Sequence, residues 1–227
     1  MVILETTFKE LNKAIGKKLS EKELDSLLFN LGLELELVEK DNIKIEITPD
    51  RPDLLSTQGL ARALRAYLGL KTGLIEYKIK KSNIRIIVED SVNKVRPYTV
   101  AAVVKNLKLD YEKIKEIINI QEKIHNTFAR KRKKTSIGIY PLENIKPPIR
   151  YLAKSPEEIN FRPLEFEKEL NAKEILLKHP AGIKYADLLK GLDKYPIFVD
   201  ANNKVLSMPP IINAHELGKV TEKTKDV

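Results

Sequence analysis

Apolar residues in the first 80 positions recur first at helical and then at strand spacing. Helical spacing predicts three helices, over Phe8–Ile15, from Ser20 to about Gly32, and over Gly59–Leu68. The second helix begins with a capping box, in which Ser20 is followed three residues later by Glu23. Period-two alternation predicts three strands, Leu33–Val38, Ile43–Ile47 and Leu74–Lys80. The first two of these strands form a predicted hairpin, so the region is expected to be a small α+β unit.

The remaining residues alternate strand and helix patterns without an internal repeat. Six strands are predicted, over 84–88, 99–105, 136–140, 149–153, 197–200 and 204–207. Three helices are predicted, over about 111–130, 172–178 and 185–190. The last two strands are expected to pair across the turn Ala201-Asn202-Asn203. The predicted fold class is therefore α+β or mixed α/β, with a small N-terminal α+β module over 1–80 and a larger mixed-sheet domain over 81–227.

Composition indicates a soluble globular protein, because 42% of the residues are hydrophobic and 32% are charged. The absence of cysteine excludes disulfides, zinc fingers, iron–sulfur clusters and thiol nucleophiles. Apolar runs are far shorter than the roughly 20 residues of a membrane helix, and no secretory signal is visible. We therefore expect a cytoplasmic protein without a membrane partner. The abundance of Lys and Glu is typical of a thermophile, but an AT-rich genome would produce a similar bias.

The positive charge is concentrated in the second part of the chain. Residues 1–80 carry 13 basic and 13 acidic side chains, whereas residues 81–227 carry 28 and 19, which accounts for the net charge of +9. The densest run comprises Arg130, Lys131, Arg132, Lys133 and Lys134. Such a run is a candidate for contact with the phosphate backbone of a nucleic acid. The alternative is that these cations end a helix, where they favour its negative pole and stay hydrated.

Common catalytic motifs are missing from the sequence. It contains no Gly-x-Gly-x-x-Gly, no Walker loop, no His-Glu-x-x-His and no Gly-x-Ser-x-Gly. The three histidines, at 125, 179 and 215, are far apart and are interpreted as structural or surface residues. Asp50 and Asp53 flank Arg51, where capping of a turn is the simpler interpretation than a catalytic carboxylate pair. No metal site is predicted.

Two long segments carry a family resemblance. One is TPDRPDLLS at 48–56, followed by GLARAL at 59–64; the other is VLSMPPIIN at 205–213, followed by GKVT at 218–221. Shorter segments agree in the same order, at 96–103, 121–125, 130–134, 136–140 and 179–180. Together they resemble the N-terminal part of the phenylalanyl-tRNA synthetase β subunit in its archaeal and eukaryotic form.

The resemblance implies a structural module at 1–80 and an editing domain at 81–227, which would hydrolyse tyrosine mistakenly esterified to tRNA(Phe). The family's bacterial form carries an oligonucleotide-binding insertion for which this chain has no room. Because the family β subunit continues further, we expect a fragment whose editing domain is incomplete at its C-terminus and which lacks the aminoacylation site. No cofactor is expected for the fragment, whereas the complete α2β2 synthetase, with its catalytic α subunit, implies ATP and Mg²⁺.

By the same resemblance, we expect the editing pocket in the segment 197–213. The candidate residues are Ile197 and Phe198 as walls of a ring slot, Ser207 for the tyrosine hydroxyl, Met208, Pro209 and Pro210 in a rigid loop, and Asn213 as donor and acceptor. The alternative is that Ser207 merely ends a strand and the next residues form a core turn.

Hydrolysis itself requires no strong nucleophile, because an aminoacyl ester is already activated and a positioned water can suffice. His215 is a weak candidate for a general base, and no other catalytic group is identified. Two further hypotheses remain: a non-catalytic module that positions tRNA or scaffolds the synthetase, and a generic basic RNA-binding protein. The latter fits the charge but leaves the two long segments unexplained.

Overall fold

A computed structural model describes residues 2–48 and 50–227, with the Leu37 side chain also outside the description. Pro49, which belongs to the predicted rigid turn, therefore lies outside the described residues. The chain forms two compact units, one of residues 1–79 with 115–134 and the other of 80–114 with 135–227. The predicted boundary near residue 80 stays a prediction. The basic run belongs to the first unit, so the net charge divides as +4 and +5 between the two units.

The first unit combines a three-stranded antiparallel sheet with helices. Its elements are β1 (Val2–Thr7), α1 (Phe8–Ile15), α2 (Glu21–Asn30), β2 (Glu34–Glu39), β3 (Asn42–Ile47), α3 (Thr57–Tyr67) and, from residue 115 onwards, α4 (Tyr111–Asn126). The strand order is β1-β3-β2. Alternate residues of β3 are fully buried in the core, as the period-two pattern predicts.

Local capping residues begin the helices of this unit. The Ser20 hydroxyl accepts from the Glu23 amide and the Glu23 carboxylate accepts from the Ser20 amide, which confirms the predicted capping box. The Ser56 hydroxyl accepts from the Gly59 amide at 3.0 Å and begins α3. The predicted helices and hairpin of this unit are therefore confirmed. Strand β1 was not predicted, because its apolar residues do not alternate.

The second unit is organised around a mixed five-stranded sheet. Its elements are β4 (Ile86–Val88), β5 (Ile149–Lys154), β6 (Asn160–Phe161), β7 (Leu170–Asn171), α5 (Ala172–Lys178), α6 (Pro180–Tyr185), β8 (Tyr195–Val199), β9 (Val205–Met208), β10 (Ile212–Asn213) and α7 (His215–Gly218). The sheet order is β10-β9-β8-β5-β4, with only β4 and β5 parallel. The mixed α+β fold class is confirmed.

Three predicted strands, over 74–80, 99–105 and 136–140, have no regular structure, and these predictions were wrong. Alternation predicts a surface suited to a sheet, but a strand also needs a neighbour for its backbone groups. Within 99–105, Val104 does exchange two backbone hydrogen bonds of 2.9 Å with Val227, while Val100 is 98% exposed.

Two helix predictions also differ from the structure. The helix expected at 185–190 is replaced by α6 and a 3-10 turn, Ala186–Leu188, because Pro180 begins the helix earlier. Helix α4 ends at Asn126 instead of Arg130. Among the described residues, no helix is long and apolar enough to cross a membrane.

Candidate functional site

The hairpin of β8 and β9 is held by a buried carboxylate in its turn. Oδ1 of Asp200 accepts hydrogen bonds of 2.9 Å from the backbone amides of Asn202 and Lys204. Such a turn is the usual role of Asp beside Asn residues. The predicted hairpin across Ala201-Asn202-Asn203 is thus confirmed, and its turn fixes the register in which Phe198 faces Ser207.

Strand register brings four side chains into one line across the sheet. Tyr151 of β5 pairs with Phe198 of β8, Phe198 with Ser207 of β9, and Ser207 with Asn213 of β10. Directly paired residues point to the same side of a sheet. We call these four residues, Tyr151, Phe198, Ser207 and Asn213, the polar–aromatic row, and the face that carries them the row face.

The aromatic half of the row is closely packed. The rings of Tyr151 and Phe198 stack with centroids 4.4 Å apart and an interplanar angle of 18°. The Tyr151 hydroxyl donates to the backbone carbonyl of Arg96 at 2.8 Å. This bond and the stacking fix both rings, so that Phe198 presents a set aromatic surface beside Ser207.

The polar half of the row is bonded to one loop. The Ser207 hydroxyl is 2.7 Å from the hydroxyl of Tyr140, and Ser207 is only 2% exposed. The Asn213 amide nitrogen lies 3.3 Å from the carbonyl of Ile139 and 3.4 Å from that of Gly218. Both polar groups predicted for the pocket are therefore satisfied by hydrogen bonds within the chain.

The phenols at this face are held in their neutral form. Burial raises the pKa of Tyr140 to about 12, against a smaller opposite effect of its bond to Ser207. Burial also raises the pKa of Tyr151 to about 12. Two neutral phenols, a serine hydroxyl and an amide make a surface suited to an uncharged aromatic group with a polar tip.

Other residues predicted for the pocket lie elsewhere. Ile197 and Met208 are fully buried on the opposite face of the sheet, in the core cluster that also holds Leu152 and Val199. Pro209 and Pro210 form the turn between β9 and β10, and Pro210 is buried. They lie between Ser207 and Asn213 in sequence but are not members of the row. Their part in a pocket stays a prediction.

His215 is the first residue of α7 and follows the row by two positions. Its backbone amide donates to the carbonyl of Arg162 at 2.8 Å. Its imidazole Nδ1 is buried and has no hydrogen-bond partner among the described residues. A general-base role for His215 stays a prediction.

The basic run forms a left-handed turn after α4. Arg130, Lys131 and Arg132 all have positive φ, of 51°, 53° and 66°. Arg132 folds inward and its guanidinium donates to Glu122 at 2.6 Å. The remaining cations, Arg130, Lys131, Lys133 and Lys134, are exposed, and we call this segment of residues 130–134 the basic turn.

A buried histidine supports the basic turn. Nδ1 of His125 lies 3.1 Å from the same Glu122 oxygen that binds Arg132. Burial lowers the pKa of His125, and the bonds from His125 and Arg132 outweigh burial to lower the pKa of Glu122. His179 is also structural, because its Nδ1 accepts from the Ala181 amide and begins α6. The described residues contain no group of three metal-ligating side chains.

Comparison with known proteins identifies the family. A profile described as the Phe-tRNA synthetase beta subunit B1 domain matches residues 1–70. Curated β subunits of phenylalanine–tRNA ligase are 40% identical in Methanosphaera stadtmanae, over 100% of this chain and 40% of the relative, and 42% identical in Thermococcus gammatolerans, over 96% and 39%. The crystal structure of an N-terminal fragment of the phenylalanyl-tRNA synthetase β-subunit from Pyrococcus horikoshii superposes with a TM-score of 0.92 and 38% identity, over 99% of this chain and 66% of that one.

The chain belongs to the phenylalanyl-tRNA synthetase β-subunit family. It corresponds to the N-terminal part of the archaeal-type subunit and spans about 40% of the length of the curated relatives.

Two aromatic residues of the candidate site, Tyr140 and Tyr151, were not predicted. Tyr140 lies 67 positions before Ser207, and Tyr151 lies on a strand whose pattern indicates only burial. Local spacing carries no information about such pairs. The pairing of β5 with β8 brings Tyr151 beside Phe198, and the irregular segment 135–141 brings Tyr140 to Ser207.

Proposed function

We propose that this part of the β subunit edits mischarged tRNA(Phe) by hydrolysing its tyrosyl ester, with the polar–aromatic row as the side-chain site. The observation that carries the proposal is a buried serine hydroxyl, already bonded to a phenol, beside a fixed aromatic ring. Ser207 would bind the substrate phenol and Phe198 would contact its ring. Asn213, next along the row, would orient the ester.

This arrangement suits the discrimination that such a synthetase needs. Tyrosine is phenylalanine with one added hydroxyl, which an apolar pocket rejects only about a hundredfold. A second site that binds the hydroxyl reverses the preference. Phenylalanine there would leave the buried Ser207 hydroxyl without a partner, at a cost of about 1–3 kcal/mol. The row would therefore select tyrosyl over phenylalanyl esters.

The reaction is the addition of water to the ester carbonyl. Cleavage of the acyl–oxygen bond then gives free tyrosine and the terminal ribose hydroxyl of the tRNA. The ester needs only a placed water and donors to the developing oxyanion. His215 follows Asn213 by two residues, and its buried Nδ1 has no hydrogen-bond partner among the described residues. We propose it as the general base that accepts a proton from the water. We propose no cofactor for this step; ATP and Mg²⁺ would serve aminoacylation by a complete synthetase with its α subunit.

The decisive experiment is deacylation of Tyr-tRNA(Phe) beside Phe-tRNA(Phe) by the chain and by its Ser207→Ala variant. We expect selective hydrolysis of the tyrosyl ester, with selectivity reduced roughly tenfold or more in the variant, as expected for one hydrogen bond. Ser26→Ala, which removes an exposed hydroxyl from α2, is the matched control and should leave selectivity unchanged. Equal hydrolysis of both esters by the wild-type chain would contradict the proposal.

We further propose that the basic turn contacts the tRNA backbone. Its four exposed cations are free of the Glu122 bond that occupies Arg132. Replacing Lys131 and Lys133 by Gln should weaken tRNA binding and lower the slope of log K against log salt by about 1 to 2, because each phosphate contact contributes about 0.7–0.9. An unchanged slope would exclude this contact.

The second candidate function is a non-catalytic module that positions tRNA. The bond between Tyr140 and Ser207 favours it, because the proposed slot is occupied by the chain's own phenol. In that case the chain binds tRNA with a salt dependence set by the basic turn but hydrolyses neither ester. The same two assays therefore separate the two functions.

A further inference from the structure

We propose that Tyr140 is a built-in occupant of the phenol slot at Ser207, and that the segment Gly138–Tyr140 must withdraw before an external phenol can bind. The identity of that external phenol as a tyrosyl ester rests on the proposed function. The occupancy of the slot by Tyr140 does not, since it follows from contacts within the chain.

Tyr140 and Ser207 make a direct contact between two hydroxyl groups. The Tyr140 hydroxyl lies 2.7 Å from the Ser207 hydroxyl, which has no other hydrogen bond among the described contacts. The Tyr140 ring packs in the same apolar cluster as Phe198 and Leu206. A ring beside Phe198 with its hydroxyl on Ser207 is the pose that a tyrosyl substrate would take in the row.

The backbone at Gly138 makes room for this pose. A Cβ at Gly138 would lie 2.2 Å from the Tyr140 hydroxyl oxygen and 2.6 Å from the ring carbon that bears it. Any side chain at position 138 would therefore displace the far end of Tyr140. The ring folds back over its own loop only because residue 138 is glycine.

The same loop also contacts Asn213, the second polar residue of the row. The Asn213 amide donates to the carbonyl of Ile139, the residue between Gly138 and Tyr140. Adjacent loop residues thus bind Ser207 and Asn213, the two polar members of the row. We call the segment Gly138–Tyr140 the plug. It contacts the row through the Tyr140 side chain and through the Ile139 backbone carbonyl.

Withdrawal of the plug would not remove a strand from the sheet. Residues 135–141 form neither helix nor strand, and Gly138 is exposed. Segments outside helices and strands generally open at a lower free energy than the strands of a sheet. An external phenol would then bind with an apparent affinity reduced by the fraction of molecules in which the plug is withdrawn.

The test measures the dissociation constant of p-cresol, with toluene as the probe lacking a hydroxyl, by ligand-observed NMR on the 227-residue chain. We expect Tyr140→Ala to bind p-cresol at least tenfold more tightly than the wild type, with little gain for toluene. The double variant Tyr140→Ala with Ser207→Ala should lose that gain. Tyr98→Phe, which changes an exposed tyrosine of the same unit, is the matched control and should bind like the wild type.

Two further variants keep the inference testable if Tyr140→Ala fails to fold. Tyr140→Phe retains the ring but loses the hydrogen bond to Ser207. Gly138→Ala retains the phenol but displaces it from Ser207. Both should raise p-cresol affinity by a smaller factor. Wild-type affinity in every folded variant, or weaker binding, would overturn self-occupation and make Tyr140 a structural support of Ser207.

The outcome is separable from that of the editing proposal. Tighter p-cresol binding without ester hydrolysis would keep the plug and overturn editing. Selective hydrolysis without any p-cresol gain would keep editing and overturn the plug. Where both hold, Tyr140→Phe should lower the KM for Tyr-tRNA(Phe) and leave kcat unchanged.

Discussion

The two faces of the five-stranded sheet are built from the same strands but carry opposite kinds of side chain. One face places Ile197 and Met208 in a cluster of buried, mostly aliphatic side chains. The row face places Phe198 and Ser207, their immediate neighbours in sequence, in a line that ends in polar groups. Successive side chains of a strand point to opposite faces of the sheet. One residue therefore packs in the core for stability, and its neighbour lies on the row face for recognition.

This difference explains why the candidate site depends on the hairpin register. A slip of one residue between β8 and β9 would turn Ser207 into the core and bring an apolar residue to the row. The Asp200 turn and the buried core face both resist such a slip. The core face thus maintains the row without any of its residues touching a ligand.

The largest effect that separates the faces is expected from Ile197→Ala. Loss of a fully buried Ile side chain should lower the free energy of unfolding by about 2–5 kcal/mol, because a cavity remains in the core. Denaturant unfolding measures it, and the p-cresol affinity of the folded fraction should not change. A change in affinity without loss of stability would contradict the assignment of Ile197 to the core face.

A smaller effect is expected from Ser207→Ala on stability. The variant leaves the Tyr140 hydroxyl without its partner, which should cost about 1–3 kcal/mol. Combining it with Tyr140→Phe removes both polar groups and should recover most of that loss. If the double variant is as unstable as the sum of the single ones, the two hydroxyls do not interact.

The smallest effect is expected in alkaline solution. Because the folded state raises the pKa of Tyr140 from 10.0 to about 12, its neutral form contributes stability that is complete below about pH 10. That contribution is lost as the pH rises towards 12. Tyr140→Phe should therefore weaken the pH dependence of the unfolding midpoint in this range, leaving the part due to Tyr151. An unaltered dependence would show that the Tyr140 phenol is solvated.

The sequence predicts those parts of the fold that local signals determine. Three features depend only on residues close in sequence: the Ser20 capping box, the alternation in Ile43–Ile47 and the turn Ala201-Asn202-Asn203. Each of these predicted elements is present. The strand predicted at residues 74–80 is absent because alternation does not supply a partner strand. Helices and hairpins form between residues that are close in sequence, whereas a sheet also needs strands that are distant in sequence.

The candidate site follows the same division. Ser207 and Asn213 come from one contiguous segment, and the family resemblance identified that segment. The contact between Tyr140 and Ser207 joins residues 67 positions apart through a loop without regular structure. No periodicity signals such a contact, so only the three-dimensional arrangement reveals the plug.

The left-handed turn at Arg130–Arg132 has a consequence for the mutations that the chain tolerates. Each of these residues adopts a conformation that glycine reaches without steric penalty and that costs an L-residue about 1–2 kcal/mol. Substitution by glycine or asparagine should lower this conformational cost and raise stability. Deep mutational scanning should therefore find these positions tolerant for folding but, if their charge serves tRNA binding, restrictive for growth.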